Sequence, residues 1–342
     1  MKCSTGLLAF ALAALVGCSS TDRPPPTPLE ELAPKIAGRQ VWASNVGRIG
    51  FPLVPAVHEG VFFVASGEGN VLALRADSGD VIWRASAGGA IAAGVGSDGR
   101  YTSVVTRANE VVTFEGDREL WRKRLPSSVV TPPLVAGERV FVMGVDRAVH
   151  AFDAIDGRRL WVLQRPSDAL TLAQAGVVAA FRNTLLVGQG ARLADLIGPS
   201  LRIGTLVCAR AFQSAVACAD ATRGTLLWSR NVGGVQAVGG DAERVIGADA
   251  SDRISAWRAA TGDVAWTNEK LLYRGLSGAA VVGPVVAFGD SEGWVHFLSA
   301  ATGEPQLRLR TDGTPVIGTP VLAGTTLLVT TQGGGLFAFR PN

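Results

Sequence analysis

Four cysteines and three histidines carry most of the reactive chemistry open to this 342-residue chain. Cys3 and Cys18 lie in an apolar amino-terminal segment, which leaves Cys208 and Cys218 in the body. These two flank a nine-residue stretch centred on Gln213, at an even separation. Across a hairpin they would face the same side as cross-strand neighbours. Two readings are open: a disulfide, which an exported location permits, or two buried thiols, since Cys218 stands where other copies of a repeat have Ala. His58, His150 and His296 are far apart, and His150 and His296 occupy the same position of that repeat. Such a pattern marks a packing or rim position, not a metal triad. No HExxH or CxxC occurs. No catalytic residue, metal ligand or cofactor-binding residue is therefore expected, and the chain is not read as an enzyme.

The elements that hold these residues follow from the repeat. Residues 71–83, 149–161, 216–228, 254–266 and 295–307 align without gaps. Their shared pattern is apolar-x-small-apolar-x-Ala, a polar pair, Gly, three residues and Trp, with Leu307 in the Trp place of the last copy. Residues 111–121 are a copy shortened by two, and 335–342 a truncated one. Alternation in Val71–Leu74 is the period of a strand. Gly79, Gly157, Gly224, Gly262 and Gly303 each sit where a hairpin turn needs positive φ. A second strand pair precedes each copy, so each unit holds four strands in about 40 residues, the signature of a β-propeller. The composition agrees: 47% hydrophobic, 18% charged and 42 Gly describe an apolar, turn-dense, all-β chain. No run reaches the ~18–20 apolar residues that span a bilayer. The net charge is +3 with no Lys/Arg block, which excludes an electrostatic nucleic-acid footprint.

Trp161 and Trp228 are 67 residues apart, too far for one blade and short of two. Two blades are expected there, the fourth one degenerate over about 162–195, where no Gly-x-x-x-Trp closes it. The count is then eight four-stranded antiparallel blades, with seven as the main alternative. Strand Gln40–Val46, with Trp42 in register with the other tryptophans, is expected beside Leu336–Arg340, closing the ring and removing both sheet edges.

At the amino terminus, Lys2 precedes the apolar run Leu7–Val16, too short to span a membrane as a helix. Leu15-Val16-Gly17-Cys18 resembles a bacterial lipobox, the alternative being an ordinary signal peptide with an incidental Cys. The resemblance implies cleavage after residue 17, acylation of Cys18 and, with Ser19 next, sorting to the outer membrane. Residues 18–38 follow as the lipidated Cys and a Pro-rich tether, extended enough to span on the order of 60 Å. Residues 39–342 form the propeller.

Repeats of the form Ala-x-(Asp/Thr)-Gly-x-x-x-Trp resemble the PQQ-type propeller family; the Gly-His and Trp-Asp pairs of WD40 repeats do not occur. With the lipobox, the tether and the Gly289–Gly293 turn (GDSEG) inside 271–303, the chain resembles the BamB family of outer-membrane assembly lipoproteins. That resemblance implies a scaffold at the periplasmic face of the outer membrane. Its partners would be the POTRA domains of the barrel subunit BamA, other subunits of the BAM complex, and unfolded outer-membrane proteins. Two family loops map here. Leu170 and Leu172 keep the apolar pair of the first, without its Arg. Arg192 and Asp195 keep part of the second, with one acid where the family has two. Each has a plain alternative: Leu170 and Leu172 as core strand residues, Asp195 as a turn cap. PQQ dehydrogenases share the propeller but resemble larger chains with adjacent cysteines, which are missing here. A carbohydrate or other ligand-binding propeller would want aromatic residues at the ring mouth, and only two Tyr are present.

Overall fold

The computed structural model describes residues 24–342 except 52, 165–177, 182–183, 188–195, 212–213 and 235. Every element in it is a β-strand, and every strand pairing is antiparallel. The chain makes seven four-stranded sheets and one two-stranded sheet among the described residues. The first sheet shows the plan: Ala56–His58, Val61–Ala65, Asn70–Arg75 and Val81–Ser86 pair in chain order. The second spans 91–124 and the third 134–163. The two-stranded sheet, Val178–Phe181 with Thr184–Val187, follows, and then come sheets over 196–230, 239–268 and 280–310. The last sheet joins 316–341 to Gly38–Asn45, with Trp42 opposite Ala338. The two-stranded sheet falls in the short stretch between Trp161 and Trp228, where the repeat hairpin is missing from the sequence.

Each full repeat copy is the outer hairpin of its sheet. Its inner strand is buried: Val71, Leu72, Ala73 and Leu74 are fully so. First strands of successive sheets touch in order. Ala56–His58 meets Ile91–Ser97, which meets Leu134–Val135, which meets Val178–Phe181. Farther on, Gly239–Gly240 meets Ala280–Val282, which meets Val316–Ala323, which meets Ala56–His58. Turns between second and third strands, such as Asp290–Gly293, lie at one end of the sheets. The repeat turns, such as 76–79, lie at the other. These two faces are called here the Asp290 face and the hairpin face.

Tryptophans join one sheet to the next. The indole of Trp42 donates to the carbonyl of Ala76, at 2.9 Å, in the neighbouring hairpin turn. Trp121 does the same to Ala154 (2.8 Å), Trp228 to Ala259 (2.8 Å) and Trp266 to Ala300 (2.9 Å). The turn glycine lets the ring approach: a β-carbon on Gly79 would sit 2.6 Å from Trp42, and Gly157, Gly262 and Gly303 pack likewise on Trp121, Trp228 and Trp266. The Ala and Gly of the repeat are thus the socket for the Trp of the preceding sheet. Where the last sheet has the start of Gly38–Asn45 and the end of Gly335–Pro341 in place of a turn, Leu307 replaces Trp and packs on Gly38.

Cys208 and Cys218 face each other across their hairpin and are bonded, both fully buried beside Trp228 and Val245. The pairing register decides between the two readings in favour of the disulfide. The intact mass of the unreduced protein is expected to be about 2 Da below that of the reduced one. Cross-linking so short a loop restricts the unfolded chain modestly, so reduction is expected to cost about 2–3 kcal/mol. Identical masses would contradict the bond.

Candidate functional site

A buried charge cluster lies under the Asp290 turn. Asp290 is placed by Gly289–Gly293 so that Oδ1 accepts from the free turn amides of Glu292 and Trp294, both at 2.9 Å. Its Oδ2 accepts from Arg274 Nε at 2.8 Å and from His296 Nε2 at 2.9 Å. Asp290, Arg274 and His296 are 0, 2 and 3% exposed. Arg274 comes from the connection between the strands Val264–Asn268 and Ala280–Val282. It also pairs with Glu292 and donates from Nη1 to the carbonyl of Thr27 at 2.9 Å. Ser291 Oγ donates to Arg274 O (2.8 Å), and Asp252 accepts from the amides of Gly275 (2.7 Å) and Leu276 (3.1 Å). The cluster ties one connection, one turn and the amino-terminal segment together.

Burial pushes His296 below the usual imidazole value, and the opposing pull of Asp290 does not overcome it. Burial pushes Asp290 up, but the hydrogen bonds from His296, the Trp294 amide and Arg274 outweigh it and hold the carboxyl low. The resulting state is an Arg274–Asp290 ion pair with a neutral His296 donating from Nε2. Burial likewise lowers His150, which stacks on Phe152 with centroids 6.3 Å apart. For both histidines the unfolded chain takes up a proton more readily than the folded one below about pH 6.5. Their contribution is therefore full above that pH and shrinks as the pH falls. Asp290 adds a loss only in strong acid, as the pH drops through its lowered folded value. The thermal midpoint is expected to be level from pH 7 to 8 and to fall between pH 6.5 and 5. A midpoint unchanged down to pH 5 would contradict the neutral histidines.

The turn Gly289-Asp290-Ser291-Glu292-Gly293 spells Gly-x-Ser-x-Gly, a pattern of hydrolase nucleophiles that the expectation of no catalytic residue passes over. The required setting is strand, turn and helix. Here the turn joins two antiparallel strands, and Ser291 bonds a carbonyl while His296 bonds Asp290. The three histidines stand on three different sheets, and no group of three His, Cys, Asp or Glu fit to hold a metal occurs among the described residues.

Cys18, Leu170, Leu172, Arg192 and Asp195 all lie outside the described residues. The strands flanking the two loops are described. Arg159–Leu163 ends seven positions before Leu170, and Leu196–Ile203 begins directly after Asp195. Trp161, Val162 and Leu163 are 40, 42 and 42% exposed. Trp161 is a repeat tryptophan whose neighbour is the two-stranded sheet, for which no Ala-and-Gly turn is described. Its ring contacts Phe141 of its own sheet at 5.8 Å. An apolar strip on an outer strand thus borders the first predicted loop. The repeat contained the signal for it, since a Trp followed by a blade without a hairpin turn has no socket.

The family model described as "Outer membrane protein assembly factor BamB" matches residues 32–93, 83–197 and 188–268. An outer membrane protein assembly factor BamB from Burkholderia pseudomallei is 34% identical over all of this chain and 97% of its own length. The chain belongs to the BamB family. A second relative of that name, from Bordetella pertussis, is 32% identical over 99% of this chain and 96% of its own. The crystal structure of BamB from Moraxella catarrhalis superposes with a TM-score of 0.78, covering 89% of this chain and all of that one, at 21% identity. A quinohemoprotein alcohol dehydrogenase from Comamonas testosteroni gives 0.67 at 14% identity, covering 89% of this chain and 76% of its own. At those identities the two structures speak for the fold, which is that of a β-propeller with PQQ-like repeats. Family membership rests on the sequence matches.

Proposed function

We propose that this protein is a scaffold of the outer-membrane β-barrel assembly machinery, held by lipid on Cys18 at the periplasmic face of the outer membrane. Full-length similarity to outer membrane protein assembly factors carries this reading. Residues 1–17 act as the signal peptide, and 39–342 form an eight-bladed ring whose fourth blade is the hairpin 178–187. Gly38–Asn45 completes the eighth blade and closes the ring. The rigid disc binds and orients other proteins instead of catalysing a reaction. Leu170 and Leu172 anchor the POTRA domains of BamA, with Arg192 and Asp195 setting the polar register. The exposed strip Trp161–Leu163 extends the apolar part of that contact. Incoming unfolded barrel proteins meet the POTRA domains so positioned.

The test is a mild-detergent pull-down of the tagged lipoprotein, with and without Leu170→Ala/Leu172→Ala. Wild type is expected to retain a barrel protein bearing POTRA repeats. Loss of two apolar anchors is expected to lower its recovery at least about tenfold, with the melting midpoint unchanged. Undiminished recovery removes the docking assignment. Absence of any barrel partner from the wild-type sample removes the scaffold reading itself.

A further inference from the structure

The sequence presents residues 18–38 as a tether, yet from Thr27 onward this segment is bound to the body. The Thr27 amide donates to Leu272 O at 3.0 Å, and the Thr27 carbonyl accepts from Arg274. Leu29 packs against the apolar cluster that contains Leu271, Leu276 and Leu298. The Glu30 carbonyl accepts from Arg308 Nη1 at 3.2 Å, and its carboxylate meets Lys270 at the same distance. Lys35 N donates to Gln306 O at 2.8 Å, and Ile36 packs near Leu307 and Leu309. The segment crosses the outer edge of the 280–310 sheet from the Asp290 face to the hairpin face. It then enters Gly38–Asn45.

We infer that residues 27–36 are a strap, latched by Arg274, that makes the Asp290 face at the 280–310 sheet the surface turned toward the lipid bilayer. This rests on the proposed anchor at Cys18. The chain from Cys18 to Thr27 spans at most about 30 Å when fully extended, half of what a free tether to residue 38 would allow. It leaves the body beside Arg274, on the Asp290 face. The inner two strands of each four-stranded sheet are five to seven residues long, about 20 Å, so the hairpin face lies farther from the lipid by that depth. The latch is strong because the group holding Thr27 is already fixed by Asp290. The connection leaving Leu163 emerges on this same Asp290 face, so a partner bound there shares the side of the disc that faces the membrane.

The lipidated full-length protein in phosphatidylethanolamine vesicles tests this. Donor dyes are placed at Gln332→Cys, on the Asp290 face, and separately at Thr302→Cys, on the hairpin face, with acceptor-labelled headgroups. Transfer from position 332 is expected to be at least about twice that from position 302, given the strand depth. Thr27→Pro/Leu29→Ser removes one amide donor and one apolar contact without touching the ring, and is expected to bring the ratio close to one. In the same variant, tryptic cleavage after Lys35 is expected to speed up about tenfold, the ratio for losing roughly 1.4 kcal/mol of docking. Equal transfer from both faces of the wild type, or equally fast cleavage in both proteins, overturns the strap. An intact mass without lipid on Cys18 overturns the anchor reading instead, and the surface assignment with it.

Discussion

Asp290→Ala is expected to lower the unfolding free energy by about 3 kcal/mol, because it removes the buried one of the two carboxylates paired with Arg274 and leaves only the exposed Glu292 as counter-ion. The carboxylate accepts four hydrogen bonds, from Glu292, Trp294, Arg274 and His296. Arg274 and His296 cannot turn to water instead, since both are almost wholly enclosed. Asp290→Asn should be milder, since one amide oxygen still accepts from the turn amides. Arg274→Met/Asp290→Ala removes both charges and is expected to recover part of the loss. Chemical denaturation followed by circular dichroism measures all three. A loss under about 1 kcal/mol for Asp290→Ala would show that Glu292 alone compensates the buried Arg274 charge and would contradict the central place given to Asp290.

Trp121→Ala is expected to cost about 3–5 kcal/mol, the range for a large buried aromatic side chain. Trp121 fills the space over Gly157, bonds Ala154 O and packs near Phe152 at 5.8 Å. The cavity would open between two sheets, where neither can move in without breaking its own ladder. Trp161→Ala, in the same repeat position one sheet later, is expected to cost clearly less, about 1 kcal/mol, since its ring is 40% exposed and rests on Phe141 of its own sheet. The contrast isolates the socket from the residue type: both are repeat tryptophans on outer strands, and among the described residues only Trp121 has a turn to dock on. Equal destabilisation of the two variants would sink the socket account, and thermal midpoints suffice to decide.

The repeat made most of the fold legible. A strand period of two, a glycine at the turn and a bulky residue four positions on are local signals. Each acts within a dozen residues, so copies at 71–83, 149–161, 216–228, 254–266 and 295–307 could be recognised as hairpins from their own letters. The pairing of Gly38–Asn45 with Gly335–Pro341 was also readable, because Trp42 keeps the spacing of the repeat. The length between Trp161 and Trp228 by itself set that stretch apart from the repeat, and the two-stranded sheet falls there.

Other features needed the tertiary structure. Whether Cys208 and Cys218 are bonded depended on strand register, which an even separation permits but does not impose. Residues 24–36 read as free chain because proline-rich composition describes local stiffness. Leu29 and Ile36 are held down by apolar clusters that only the closed body creates. Thr27, Arg274, Asp290 and His296 gave no joint signal, because Thr27 and Arg274 are 247 positions apart and meet at one buried ion pair. Sequence by itself therefore determined the propeller and its family, whose signals are periodic and local. Tertiary structure alone decided the latch and the disulfide, since each depends on which segment comes to lie next to which.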